Sequence, residues 1–132
     1  MRRRGTPIFL ETALLDRLMG DREMAKVVAL GFLGDIPKQI EALLTVLDAH
    51  DIQAVERQAH SIKGAAAAVG GEALRNLAGA LERAAKANDL VTVSASLAEL
   101  ENQFDRLRRA MQASLLAPSG LALVSRGGYS AF

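Results

Sequence analysis

Apolar residues recur along this chain at steps of three and four, the period of one face of an α-helix rather than the alternation of a half-buried strand. The first such stretch runs from Ile8 to Met19 with Leu14, Leu15 and Leu18 as its stripe, and Thr6-Pro7 reads as its N-cap and first helical position. Gly20-Asp21 ends it and caps a second helix, from about Arg22 to Ala49. That helix carries Met24, Val27, Val28, Phe32, Leu33, Ile36, Ile40, Leu43, Leu44 and Leu47 as its apolar positions. Pro37 lies inside it. A proline removes one intrahelical bond and clashes one turn back, which predicts a kink near Leu33 to Asp35, eased by Gly34, with a break into two helices as the competing reading.

Asp51 can cap a third helix, whose positions Ile52, Val55, Ala59, Ile62, Ala66 and Val69 form a narrow core seam. Gly70-Gly71 stops it, since glycine takes the left-handed conformation that a helix end needs. A fourth helix, from about Glu72 to Ala87, turns Leu74, Leu77, Ala78, Leu81 and Ala85 inward. Asn88-Asp89 then starts a fifth with Leu90, Val93, Leu97, Leu100, Phe104, Leu107 and Met111 on its seam. Such spacing suits bundle packing at about 20° crossing angles. Pro118-Ser119-Gly120 closes the helical region, and 121–132 has no helical period. This predicts one helical domain over 1–117 and a tail over 118–132, with a strap docked by Leu121, Leu123, Val124 and Phe132 as the other reading of the tail.

Composition agrees with an all-α chain. Of 132 residues half are apolar, yet only five are aromatic (four Phe and one Tyr), which favours close-packed helices over a sandwich or barrel. The length allows one domain with a real core. There is no cysteine, which excludes disulfides and thiolate metal sites, and two histidines, His50 and His60, make a poor zinc site, so no metal of its own is expected. A net charge of +1 from well-mixed charges gives no field to collect nucleic acid or an anionic membrane, and the Arg2-Arg3-Arg4 run reads as a solvated terminus. No apolar run reaches the roughly 18 residues of a membrane span, and the start lacks the apolar core of a secretory signal. A cytoplasmic, monomeric protein is expected.

Candidate chemistry concentrates in Ala59-His60-Ser61-Ile62-Lys63-Gly64. His60, Lys63 and Gly64 fall on one helical face, beside the core seam rather than on it, so the imidazole is expected at the surface. Glycine in a helix interior costs about 1 kcal/mol relative to alanine, so Gly64 asks for a reason, and close approach of a partner to His60 is one. Ala65 to Ala68 extend the small-residue platform. A neutral imidazole near pH 7 is a good nucleophile toward an activated phosphoryl group. His50, by contrast, has no pattern around it.

The series His60-Ser61-Ile62-Lys63-Gly64, with Gly70 at the helix end and Leu81-Glu82 in the next helix, resembles the histidine phosphotransfer domain family over about residues 8 to 113. The resemblance implies a four-helix bundle, up-down and antiparallel, with an additional N-terminal helix. It also implies a phosphoryl carrier that takes the group on His60 from one receiver-domain aspartate and passes it to another. Response-regulator receiver domains are the partners it implies, with a hybrid sensor histidine kinase as a further one. On that reading Lys63 places a positive charge beside the phosphoryl oxygens. Glu82, where the family often has Gln or Glu, would accept a hydrogen bond from His60 Nδ1 and leave Nε2 as the nucleophile, with a solvated carboxylate or a partner for Arg83 or Lys86 as its competing reading. Lys86 matches a position that is often basic, and Ser61, Gly64 and Ala67 belong to the partner-facing surface.

The chain has no phosphate-cradling glycine loop, no Walker Gly-Lys-Ser/Thr and no acidic cluster for Mg²⁺. It is therefore expected not to be an enzyme with ATP-binding or autokinase activity, and to use no cofactor, with Mg²⁺ supplied by the receiver. The initiating methionine and short flanks suggest a free-standing unit, though a terminal domain of a hybrid kinase would look much the same. Two rival readings stand beside the carrier: a helical docking module that uses the His60 face without chemistry, and a structural adaptor that dimerises through the long second helix.

Overall fold

The computed structural model describes residues 5–118, and every described element is a helix. Helix α1 spans Glu11–Arg17, α2 Arg22–Asp48, α3 Ile52–Ala68, α4 Glu72–Lys86 and α5 Leu90–Ala113. Helices α2 to α5 form an antiparallel four-helix bundle in which each packs on its sequence neighbour and α5 returns to α2, and α1 lies against α2. The fold class expected from the hydrophobic period is the one observed. The tail expected over 118–132, its strap alternative and the Arg2-Arg3-Arg4 run lie outside the described residues, Pro118 apart.

The three long helices α2, α3 and α5 start by one device. Asp21, Asp51 and Asp89 each accept the backbone N–H three residues on, from Met24, Ala54 and Thr92 at 3.0, 3.1 and 3.2 Å. Each caps one of the four donors that a helix start leaves free, worth about 1 kcal/mol. The core is aliphatic. Leu14, Ile36, Leu43, Val55, Ile62, Leu74, Leu81, Leu100, Leu107 and Met111 are all at most 1 % exposed. Phe32 of α2 and Phe104 of α5 meet with ring centroids 6.3 Å apart.

Three expectations are corrected. Thr6-Pro7 does not start α1: the helix begins at Glu11, and no side chain caps it. The residues before it run across the α3–α4 turn, where Leu10 N–H donates to Gly70 C=O at 2.8 Å and Pro7 C=O accepts from Ala73 N–H at 3.0 Å. With those backbone groups satisfied by the turn and Ile8 and Phe9 packed on the core, nothing calls for a helix there. Second, α2 runs unbroken through Pro37, so the two-helix reading fails. Pro37 is on the exposed side, while Ile36 and Ile40 anchor the helix to the core on either side of it. Third, the first turns of α2 bury alanines, Ala25 and Ala29, whereas Met24 and Val27 point outward. Leu44 and, on α5, Leu90 also lie exposed rather than on the seam.

The α3–α4 turn is the tightest point. Gly70 has φ +79°, and a Cβ there would sit 2.5 Å from the carbonyl oxygen of Leu10. Gly70→Ala must both adopt a left-handed backbone and push away the N-terminal segment, and is expected to lower unfolding stability by about 2 kcal/mol or more in urea titration. Gly20→Ala has positive φ but open space around it, and should cost only the backbone part, about 1 kcal/mol.

Candidate functional site

Midway along α3, His60 leaves the bundle between α2 and α4. Its neighbours Ala59 and Ile62 are fully buried and fix the helix rotation, which directs the imidazole outward with 67 % of its side chain exposed. Glu82 reaches it from α4: Oε2 lies 2.9 Å from His60 Nδ1. A carboxylate can only accept, so Nδ1 carries a proton, and in the neutral imidazole the lone pair is then on Nε2. The other oxygen, Oε1, receives the Lys63 ammonium at 2.7 Å. Glu82 therefore ties together the two residues that sequence places three apart on α3, with only 15 % of its own side chain exposed.

That arrangement holds the Glu82 carboxyl below its ordinary pKa. The hydrogen bond from Lys63 is the largest cause; burial works against it, and the hydrogen bond from His60 and the charge of Lys63 add to the lowering, as does His60 once it is protonated.

On the other side Ser61 donates to Oε1 of Gln39 in α2 at 2.8 Å, and Gln58 Nε2 approaches the same oxygen at 3.4 Å. Gly64, one turn beyond His60, is exposed, and a Cβ there would meet nothing within 4 Å. Ala67 continues this side of α3. Together with Gly79 of α4 they floor an open cleft of about 300 Å³ rimmed by Lys63, Arg75 and Arg83. Lys86 stands apart from the imidazole in the structure's ion pairs: its side chain is 71 % exposed, and its ammonium pairs with Glu56 of α3 at 3.7 Å.

The structure thus brings Glu82, Lys63 and His60 into direct contact, sets Ser61, Gly64 and Ala67 around them, and gives Lys86 a different partner. Sequence reading missed Gln39, since its link to Ser61 depends on how α2 and α3 pack. It also missed Gly79, for which a signal existed: like Gly64 it is a glycine inside a good helix. A Cβ at Gly79 would come within 3.4 Å of Lys63 Cδ and of Arg83 Nη1, so its absence lets the Lys63 stem cross α4 toward Glu82. His50, which nothing singled out, is exposed at the end of α2 with φ +60°.

The class these observations define is a helical bundle presenting one oriented, solvent-facing histidine. A family model described as the Hpt domain matches residues 29–110, which takes in α3, α4 and the whole of this site. The chain belongs to the Hpt domain family, whose members carry phosphoryl groups on histidine in phosphorelays, are not kinases, and interact with response-regulator receiver domains. No curated protein and no solved structure matched the chain. Among the described residues no helix is long and apolar enough to cross a membrane.

Because Glu82 has a lowered folded pKa, its ion pair contributes stability in full above the ordinary glutamate value of about 4.3 and loses it as pH falls through the lower folded value. Lys63→Met should return the Glu82 titration toward the ordinary range, read by carboxyl-carbon NMR. The stability difference between wild type and this variant should be full above the ordinary glutamate value and close as pH falls through the lowered one.

Proposed function

We propose that this chain is a phosphorelay carrier that receives a phosphoryl group on His60 Nε2 from an aspartyl phosphate of one receiver domain and gives it to the aspartate of another. The observation that carries this reading is the Glu82 contact to His60 Nδ1, which assigns the proton of the neutral ring to Nδ1 and so makes Nε2 the nucleophilic nitrogen of an exposed side chain. In the forward step the Nε2 lone pair forms a bond to phosphorus while the bond from phosphorus to the aspartyl oxygen breaks, and the aspartate leaves as a carboxylate. The ring then carries the phosphoryl group on Nε2 and its proton on Nδ1, where the Glu82 carboxylate offsets the developing positive charge. Return transfer reverses each bond change. Lys63, with its ammonium one turn from His60, needs only to swing from Glu82 to reach phosphoryl oxygens, and supplies charge compensation.

Gly64, Ser61 and Ala67 form the seat for the receiver in this reading, and the Mg²⁺ that the transfer needs comes with the receiver. Lys86 acts at the rim, through the partner's charge rather than through the phosphoryl group. The carrier works in the cytoplasm, with a hybrid sensor kinase as one source of the donor receiver.

The deciding experiment is transfer of labelled phosphoryl from a phosphorylated receiver domain, with acid and base treatment of the product. Wild type should take up acid-labile, base-stable label and His60→Gln none, with helicity by circular dichroism unchanged. Equal labelling of the variant, or no uptake from any receiver of the source cell, overturns the carrier reading and leaves a docking bundle. A second variant separates seat from chemistry. Since space at Gly64 is open in the free protein, Gly64→Leu should keep the fold yet slow transfer at least about tenfold through loss of close approach.

A further inference from the structure

The core side of α2 is occupied by Ala25, Ala29, Phe32, Ile36, Ile40 and Leu43. At about 100° per residue, the direction opposite to them is that of Val27 and Gly34, with Leu30 and Gly31 on either side. This outward stripe is apolar: Val27 is 63 % exposed and Leu30 59 %, with Met24, 46 % exposed, at its edge. Neither glycine is needed by the fold, since a Cβ at Gly31 or Gly34 would meet nothing within 4 Å. Each nonetheless weakens the helix by about 1 kcal/mol relative to alanine. The stripe has no charge along it and is bounded by Glu23 at one end and Lys38 at the other.

These positions are related by a midpoint. Glu23 and Lys38, Val27 and Gly34, and Leu30 and Gly31 are each equidistant from the same point on α2, between Leu30 and Gly31. A two-fold interface demands such self-complementarity, because each residue meets its counterpart on an identical surface running the other way. We propose that this face pairs with a second copy of the chain, α2 against α2 antiparallel, about an axis beside Leu30. Val27 then enters the notch that Gly34 leaves on the second copy, the two Leu30 side chains meet across the axis, and Glu23 faces Lys38 of the second copy at both ends. Lys38 has no ion-pair partner among the described residues, and Glu23, 84 % exposed, contacts only Lys26 of its own helix, at 3.3 Å.

The pairing is compatible with the carrier role and does not depend on it. The α2 residue that reaches the His60 site is Gln39, about 120° round the helix from the stripe, so a receiver on His60 and a second copy on α2 use different flanks. The face is small, which implies weak association, with Kd about 10–100 μM, in place of the monomer expected from the sequence.

Sedimentation equilibrium of the full chain from about 10 μM to 1 mM tests this. The mass of wild type should rise with concentration from 14.0 kDa toward twice that value. Leu30→Glu should stay monomeric, and Glu23→Lys and Lys38→Glu should each weaken pairing about tenfold. An equimolar mixture of those two charge variants should recover wild-type association, because each then meets its opposite. All three positions are exposed, and circular dichroism checks that each variant is folded. A wild type that remains monomeric at 1 mM, or a mixture that does not recover, overturns the proposal. It is equally overturned if Leu30→Glu lowers receiver affinity while the wild type is monomeric, since the stripe would then belong to the receiver.

Discussion

The close side-by-side packing of α3 and α4 is the constraint on which the site depends. Their connection at Gly70-Gly71 is only long enough to reverse the chain, so the register of the two helices is set by the turn and by the seam of Ala59, Ile62 and Ala66 against Ala78, Leu81 and Ala85. That register puts Glu82 beside His60. Small residues make the approach close enough for side chains of ordinary length to bridge it, as the Lys63 stem crossing Gly79 shows. A methyl group at Gly79 would have to be accommodated by the two side chains that define the cation edge of the cleft. The chemistry of the site is therefore held by backbone geometry in the core and is not improvised by flexible surface groups.

From that constraint follows the division of labour among the three polar residues. Glu82 is the most buried of them and accepts from both others, which fixes its rotamer and its charge. His60 is the most exposed, and in the proposed transfer needs only an assigned tautomer and an unobstructed Nε2. Lys63 lies between, and in that proposal exchanges its contact with Glu82 for one with an incoming anion. A carrier that must both accept and release a phosphoryl group gains from this balance, because an ammonium already neutralised by a carboxylate does not bind the phosphoryl oxygens so tightly that transfer onward is impeded.

Much of this was legible in the residues. Five helices, the aspartate caps of three of them and the glycine turn are local signals, and the period of three and four placed Val55, Ala59, Ile62, Leu81, Leu100 and Leu107 in the core. His60, Lys63, Gly64 and Glu82 stood out through spacing and through resemblance to a known pattern. What failed failed for tertiary reasons. Thr6-Pro7 has a good local signature for a helix start, but the adjacent backbone found hydrogen bonds in the 70–73 turn. Pro37 threatened a break that the anchoring of Ile36 and Ile40 prevented. In the first turns of α2, periodicity favoured the bulky Met24 and Val27, whereas the helix rotation fixed by its later turns puts Ala25 and Ala29 on the core. Gln39 could be found only once α2 was seen against α3.

The misreading of α2 has its own physical content. A helix whose first turns face Ala25 and Ala29 inward while Val27 and Leu30 face water has inverted the usual pattern of burial there. Fully burying a valine or leucine side chain contributes roughly 1.5–3 kcal/mol, far more than an alanine methyl can. The inversion is stable because α2 is long, and its later turns, from Phe32 to Leu43, supply enough burial to fix the rotation of the whole rod. Rotation once fixed, the first turns have no freedom to turn Val27 and Leu30 inward, and their exposure is a cost the chain carries in isolation. Two further costs, Gly31 and Gly34, fall on the same stripe. That three unfavourable choices coincide on one face, with unlike charges at its two ends, is what distinguishes it from scattered surface leucines, which need no explanation.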